Sequence, residues 1–438
     1  MPFQSTSAKP ARLTGPLGHL IAAQKNGIPL GMYSVCSAHP LVLEAVMRHA
    51  ARDQRPVLIE ATANQVNQYG GYTGQKPQQF FDWMHSMAAE MSLSADQLIL
   101  GGDHLGPLVW QSEPADQAMP KAIELVRDYA SAGFTKIHLD ASMPLGDDPP
   151  GPIDPALSAR RAAEMARAAE QASNGRPITY VIGTEVPIPG GAQSADELLE
   201  VTTVENARET IEVSRQAFVE AGLDDAWQRV IALVVQPGVE FGHSEIHEYR
   251  PEAARDLSRF IEGVPGLIYE AHSTDYQTVS ALRQLVADHF AILKVGPGLT
   301  FALREALFAL EQIEVELLPE SQRSRLSEVL EAVMLAYPGQ WQKYYLGDFS
   351  KQRQARRFSM SDRIRYYWPD PTVQAAVKNL MDNLSSMQVP LTLVSQHLPQ
   401  QYTRIRNGEL SMTPKDWVID KIDAVLRDYS TACYPDYA

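Results

Sequence analysis

The chain has 438 residues, a formal net charge of −15 and an ordinary globular composition, 45% hydrophobic, 21% charged and 8% aromatic. No apolar run approaches the roughly 20 residues that a membrane helix needs, and the acidic balance argues against nucleic acid, which wants a basic face. The cysteines, Cys36 and Cys433, stand far apart, which suits a reduced, cytoplasmic protein better than a disulfide-stapled one.

The first 43 residues hold no Asp or Glu, and Lys9 and Arg12 sit among Ser, Thr and Pro. There is no Arg-rich amphipathic run and no apolar signal core, so residues 1–16 are expected to be a flexible N-terminus. Residues 17–26 read as a short amphipathic helix placed to close one end of the fold. After it one unit recurs: a short apolar run, a polar or Gly-rich junction, then helical periodicity. The apolar runs are 28–36, 57–61, 98–101, 136–139, 178–182, 230–235, 267–269 and 291–295. The helical segments are 40–53, 78–92, 118–132, 157–172, 203–221, 250–262, 276–287 and 300–317. Eight near-continuous apolar strands alternating with eight helices predict a TIM (β/α)8 barrel over residues 17–317. A doubly wound open sheet is the alternative, but no Gly-x-Gly-x-x-Gly turn follows the first strand. Residues 318–438, with helical stretches at 321–336, 373–384 and 417–429, are expected to form an α-helical C-terminal extension packed on the barrel.

In such a barrel the chemistry sits where strands run into helices. The third run ends in Gly101-Gly102, which allows close packing and a sharp turn, and then sets Asp103 and His104 side by side before Gly106-Pro107. Of eleven histidines, five (His39, His104, His138, His243 and His272) fall at strand ends of one rim. Imidazoles with carboxylates suit a divalent ion such as Zn²⁺, Mn²⁺ or Co²⁺, zinc foremost. The expected ligands are His104, Glu185, His243 and His272; the alternative for any one of them is a hydrogen-bonded rim residue. Phosphate is often held after strands seven and eight, where Ser273, Thr274, Gly296, Gly298 and Thr300 stand. The alternative there is an ordinary Gly-rich turn. Asn64, Asp140 and Lys294 stand at further strand ends and join the expected substrate contacts. Arg363 and Arg365 lie among aromatic residues at 359–369, either as an anchor for the extension or as phosphate ligands reaching over the mouth.

Several stretches resemble one family closely. They include Ser34-Val-Cys-Ser-Ala-His-Pro40, Ile59-Glu-Ala-Thr-Ala-Asn-Gln-Val-Asn-Gln68, Gly101-Gly-Asp-His-Leu-Gly-Pro107 and Gly183-Thr-Glu-Val-Pro-Ile-Pro-Gly-Gly191. Tyr269-Glu-Ala-His-Ser-Thr-Asp-Tyr-Gln277 and Ser361-Asp-Arg-Ile-Arg-Tyr-Tyr-Trp-Pro369 belong with them. They resemble the GatZ/KbaZ-like family, large subunits associated with D-tagatose-1,6-bisphosphate aldolase. The resemblance implies kinship with metal-dependent, class II aldolases, in which a strand-end Asp precedes a metal-binding His, as Asp103-His104 do. It aligns Glu185 with their acidic strand-five motif and His243 and His272 with their later ligands, and it makes Asp103 and Glu185 the expected catalytic pair.

Three activities go with the resemblance. The main expectation is C4 epimerisation of D-tagatose 6-phosphate to D-fructose 6-phosphate by retro-aldol cleavage and re-addition, with Asp103 moving the C4 hydroxyl proton. The alternative is a non-catalytic subunit that stabilises a separate aldolase chain. A kinase is disfavoured, because no Gly-x-x-x-x-Gly-Lys-Ser/Thr loop is present. The expected partners are a phosphorylated ketohexose and an aldolase subunit, with no nucleic acid and no membrane; self-association is left open.

Overall fold

Residues 13–184 and 199–434 are described by a computed structural model. The apolar runs become the strands β1 (Met32–Val35), β2 (Val57–Thr62), β3 (Leu98–Leu105), β4 (Lys136–Leu139), β5 (Thr179–Ile182) and β6 (Val230–Val235). After a two-residue hairpin, β7 (Glu240–Phe241) with β8 (Ile246–His247), come β9 (Ile268–Ala271) and β10 (Phe290–Val295). All but the hairpin close into one parallel barrel in chain order, with β10 pairing back onto β1. Strands buried on both faces need apolar residues at nearly every position, which is why these runs show little alternation.

Helix α1 (Gly15–Lys25) closes the N-terminal end of the barrel. Its Leu17, Leu20 and Ile21 cluster with Met32, Leu58, Ile99, Ile231, Ile268 and Ile292 from the strand starts. The outer helices are α2 (Pro40–Asp53), α3 (Pro77–Glu90), α4 (Ala115–Ala132), α5 (Pro155–Ala172) and α6 (Val204–Glu220). The one-turn α7 (Asp224–Trp227), then α8 (Pro251–Glu262), α9 (Val279–Ala287) and α10 (Pro297–Leu317), complete the ring.

The extension holds α11 (Leu326–Ala336), α12 (Phe349–Phe358), α13 (Pro371–Ser385), α14 (Leu391–His397), α15 (Pro399–Arg406) and α16 (Pro414–Cys433). Helix α16 packs against α2, α9 and α10 and buries Trp417 completely. A polar tie reinforces this contact: His49 of α2 lies 2.6 Å from Asp423 and 2.7 Å from Ser430. No helix among the described residues is long and apolar enough to cross a membrane.

One local departure positions the site. β3 does not stop at Gly101 but runs through Leu105, and its pairing with β4 slips between Gly102–Ile137 and Leu105–Leu139. That bulge puts His104 in the left-handed region, at φ 48°. A bulge at a barrel rim re-aims side chains that a regular strand would send elsewhere.

Candidate functional site

Side chains two apart on a strand share a face, so the barrel interior is stacked in layers. Above the apolar floor of Met32, Leu58, Ile99, Ile268 and Ile292 the same strands present Ser34, Glu60, Gly101, Glu270 and Lys294, joined by Lys136. Two residues further up stand Cys36, Thr62, Asp103, His138 and His272. Glycine is required in the middle layer at position 101, where a Cβ would come within 2.8 Å of Glu60 Cγ.

The middle layer is a buried ionic lattice. Lys136 Nζ lies 2.7 Å from Glu60 and 2.7 Å from Glu270. Lys294 Nζ lies 3.0 Å from Glu60, 3.0 Å from Asp103 and 3.8 Å from Glu270. It makes no well-aligned hydrogen bond to any of them, so the hold on it is charge–charge rather than directional. Burial alone would raise the Asp103 carboxyl. Lys294, then His104 and His138, more than reverse that and hold it well below the ordinary carboxylate value.

On this lattice stand three imidazoles. The His104, His138 and His272 rings lie 4.9, 4.8 and 5.2 Å apart, centre to centre. Each has one nitrogen engaged by the protein. His104 Nδ1 donates to Asp140 at 2.7 Å, His138 Nδ1 accepts from the His104 backbone N–H at 3.2 Å and lies 3.0 Å from Asp103, and His272 Nε2 lies 3.0 Å from Glu270. The second nitrogen of each is left over, and His138 Nε2 is buried with no hydrogen-bond partner. Asp103, His104, His138 and His272 offer ligand atoms within 4.8 Å of one another.

These residues fit a divalent metal. Imidazoles oriented through their far nitrogen by carboxylates are the usual arrangement around a bound ion. Burial pulls His272 down to about 4, which keeps it neutral and able to ligate. Burial also pulls on His104, but Asp103 and Asp140 outweigh it and raise its affinity for a positive charge.

Above the cluster the mouth is lined by Cys36, Asn64, Tyr72, Ser273, Arg365 and Tyr366, among others. Its cavity is about 80 Å³, below the roughly 300–1,000 Å³ of typical ligand sites. An adjoining cavity of about 390 Å³ shares Cys36, Gln65, Tyr72, Gly296 and Arg365 with it.

The expected site residues divide. Asp103, His104 and His272 come together, and Lys294 lines the mouth with its ammonium spent on the lattice. His243 does not join the expected ligands: its Nδ1 meets Ser359 Oγ at 3.2 Å and its Nε2 the Tyr344 carbonyl at 3.0 Å. Glu185 lies outside the described residues. Gly296 and Gly298 do not offer free amides to phosphate, because both donate to Asp275 Oδ1, at 2.9 and 2.7 Å. Thr274 is buried against the Lys294 carbonyl and Tyr429, and Thr300 against Asp362, so neither hydroxyl faces a ligand. Asp140 orients His104 instead of meeting substrate. Arg363 lies over the Tyr344 ring at 3.5 Å and bonds the Gln340 carbonyl, which makes it the anchor of the two arginines. Asn64, Ser273 and Arg365 do face the mouth.

Sequence reasoning passed over His138 as a ligand. Lys136, His138 and Asp140 alternate, and that parity points all three inward. It also passed over the lattice residues Glu60, Lys136 and Glu270, which read as ordinary strand polar residues until the barrel closes around them.

The model of the family described as "D-tagatose-1,6-bisphosphate aldolase subunit GatZ/KbaZ-like" matches residues 17–434. Relatives from Salmonella dublin and Salmonella gallinarum, both named D-tagatose-1,6-bisphosphate aldolase subunit GatZ, are 53% identical over 422 residues, 96% of this chain and 99% of theirs. A crystal structure of a probable tagatose 6 phosphate kinase from Sinorhizobium meliloti is 51% identical, with a TM-score of 0.85 over 92% of this chain and 100% of that one. The epimerase expectation is corrected by these relatives, whose names agree with the aldolase-subunit alternative.

Proposed function

The chain belongs to the GatZ/KbaZ-like family of D-tagatose-1,6-bisphosphate aldolase subunits, and from that premise we propose that it acts beside a separate aldolase chain, with a barrel mouth that holds a divalent metal and a ketose phosphate. The observation that carries the metal half is the trio of buried imidazoles, each with one nitrogen fixed by a carboxylate and one to spare. His104, His138 and His272 would hold the ion, zinc being the one their donor set favours. A divalent metal there supplies Lewis-acid polarisation of a bound carbonyl. Asp103 stays anionic and braces His138 and Lys294. Arg365, at the lip, spends Nη1 on the Ser361 and Asp362 carbonyls and part of Nη2 on the Tyr366 hydroxyl, and has Nε and the rest of Nη2 for a phosphate group; Asn64 and Ser273 offer polar contacts to the sugar.

The kinase name of the Sinorhizobium protein is not carried over, since the sequence has no loop of the Gly-x-x-x-x-Gly-Lys-Ser/Thr kind. The completeness of the imidazole cluster favours a second reading, in which this chain cleaves a ketose bisphosphate itself. One set of assays separates the two. D-tagatose 1,6-bisphosphate cleavage is followed with this chain alone, the aldolase chain alone, and both together. The subunit reading expects little turnover from this chain alone, and a higher rate or longer half-life of the aldolase chain in its presence. Turnover by this chain alone that vanishes in His138→Ala supports the second reading instead.

A further inference from the structure

Of the five rim histidines, His104, His138 and His272 form the imidazole cluster and His243 is bonded to the extension. The fifth, His39, is the N-cap of α2. Its Nδ1 accepts from the Leu41 amide at 3.2 Å, which leaves the proton of the neutral ring on Nε2. Burial keeps that ring neutral, pulling its pKa down to about 4. It stands edge-on to Trp368, 5.9 Å between ring centres, and Nε2 has no hydrogen-bond partner among the described residues. His39 lines the cavity of about 390 Å³ beside the mouth. That volume falls in the range of organic-ligand sites, roughly 300–1,000 Å³, which the mouth itself, at about 80 Å³, does not reach. Trp83 and Trp368 face the cavity together with uncharged polar residues, Ser37, Thr73, Gln75 and Gln374. No Asp or Glu lines it among the described residues, and Arg365 belongs both to its wall and to that of the mouth.

We propose that this cavity is a second subsite, which takes the hydroxylated far half of a ketose phosphate whose carbonyl end lies at the imidazole cluster, with His39 Nε2–H donating to one of its hydroxyls. This rests on the ketose-phosphate reading above. Indole faces cover the C–H sides of a sugar chain, while hydroxyl, amide and imidazole groups meet its hydroxyls. The lack of acids, with a guanidinium shared between the two spaces, selects a phosphorylated chain over a cation or a neutral polyol. A three-carbon ketose phosphate stops within the mouth, whereas a six-carbon one continues past Arg365 along the His39 wall. The subsite also gives the C-terminal extension a part in binding. Gln374, Val377 and Lys378 are spaced to share one face of α13, and that face closes the cavity from outside. Lys378 stands at its edge and is paired with Asp382.

The test uses the full-length chain with zinc present and two probes, D-tagatose 1,6-bisphosphate and the three-carbon dihydroxyacetone phosphate, with affinities measured by calorimetry. His39→Ser keeps a helix cap, because serine is a preferred N-cap residue, and removes the Nε2 donor. Val377→Phe fills the cavity from α13. The proposal expects wild type to bind both probes and each variant to bind the bisphosphate about tenfold more weakly. Both variants should bind the three-carbon phosphate as wild type does, and His39→Ser should keep the wild-type melting temperature. Unchanged bisphosphate affinity in either variant overturns the subsite and leaves the ketose-phosphate reading at the mouth standing. Equal losses for the two probes place the damage at the mouth itself and likewise overturn the subsite. A wild type that binds neither probe overturns both readings.

Discussion

His104 Nδ1 and Asp140 Oδ2 stand 2.7 Å apart, both buried, and the other Asp140 oxygen is held by the Ser142 hydroxyl at 2.6 Å. The carboxylate fixes the ring and its tautomer, and it makes the remaining nitrogen, Nε2, more basic. Asp140→Asn preserves shape and removes charge. The expected outcome is a metal affinity about 10–100-fold lower, read by competition with a chromophoric chelator, with an unchanged near-UV circular dichroism spectrum. Unaltered affinity would reduce Asp140 to a loop anchor.

His138 and His243 give opposite expectations. His138 Nε2 is buried and unpartnered beside two other imidazoles, whereas both His243 nitrogens are engaged outside the cluster. His138→Ala should therefore lose bound metal, measured by elemental analysis after dialysis, and His243→Ala should keep it. The reverse pattern would overturn the ligand assignment.

The contrast also shows what the sequence could carry. Where burial on both strand faces demands an unbroken apolar run, the reading and the strand coincide, as at Val230–Val235. The run at 28–36 is longer than β1 because Gly31 spends its amide on the Cys433 carbonyl, a partner some 400 residues away that no local pattern announces. Helix α12, with Phe-Ser-Lys-Gln-Arg-Gln-Ala-Arg-Arg-Phe, has no apolar stripe and so gave no periodic signal. In the site, Asp103, His104 and His272 are legible as strand-end residues of one rim. His243 follows a strand in the same way, but the β7–β8 hairpin begins before it and its nitrogens go to the extension. Only tertiary contact separates the two cases.

The ionic lattice predicts an asymmetric mutational response. Lys136→Met leaves Glu60 and Glu270 facing each other across the barrel with Lys294 alone between them. Breaking a buried pair from one side costs about 3–5 kcal/mol, so unfolding by urea should shift by that order. Adding Glu270→Gln should recover a substantial part, because a neutral amide no longer needs the missing ammonium. A loss in the double variant equal to the sum of the two single losses would show that the groups are not coupled.

Arg365 and Arg363 should differ in their effect on binding. Arg365 lines the mouth, while Arg363 is buried between Tyr344 and the Gln340 carbonyl. Arg365→Ala is expected to weaken binding of D-tagatose 1,6-bisphosphate by tenfold or more, and also to lower the melting temperature, because its guanidinium holds the Ser361 and Asp362 carbonyls. Arg363→Ala should lower stability by about 1–3 kcal/mol, the cost of stranding a buried polar partner, and leave affinity nearly intact. Equal effects on both quantities in both variants would mean that the segment moves as one body.

Asp275 links the mouth to pH. Its Oδ1 accepts from the Gly296 and Gly298 amides, so a carboxylate of the chain itself fills the nest expected for a phosphate. Burial raises its pKa from 3.8 to about 6, against the pull of those two amides. The folded state thus binds this proton more tightly than the unfolded state does. The resulting stabilisation is fully present below about 3.8 and is lost as pH rises through about 6. Two units correspond to about 3 kcal/mol. Asp275→Asn keeps an oxygen for both amides and cannot ionise. Relative to wild type it should gain stability between pH 5 and pH 7.5 by about half that figure, the other half being lost already below pH 5. Urea unfolding of both proteins at the two pH values reads the difference directly. A gap that stays constant across the range would mean that Asp275 is ionised at little cost, with Arg365 close enough to neutralise it.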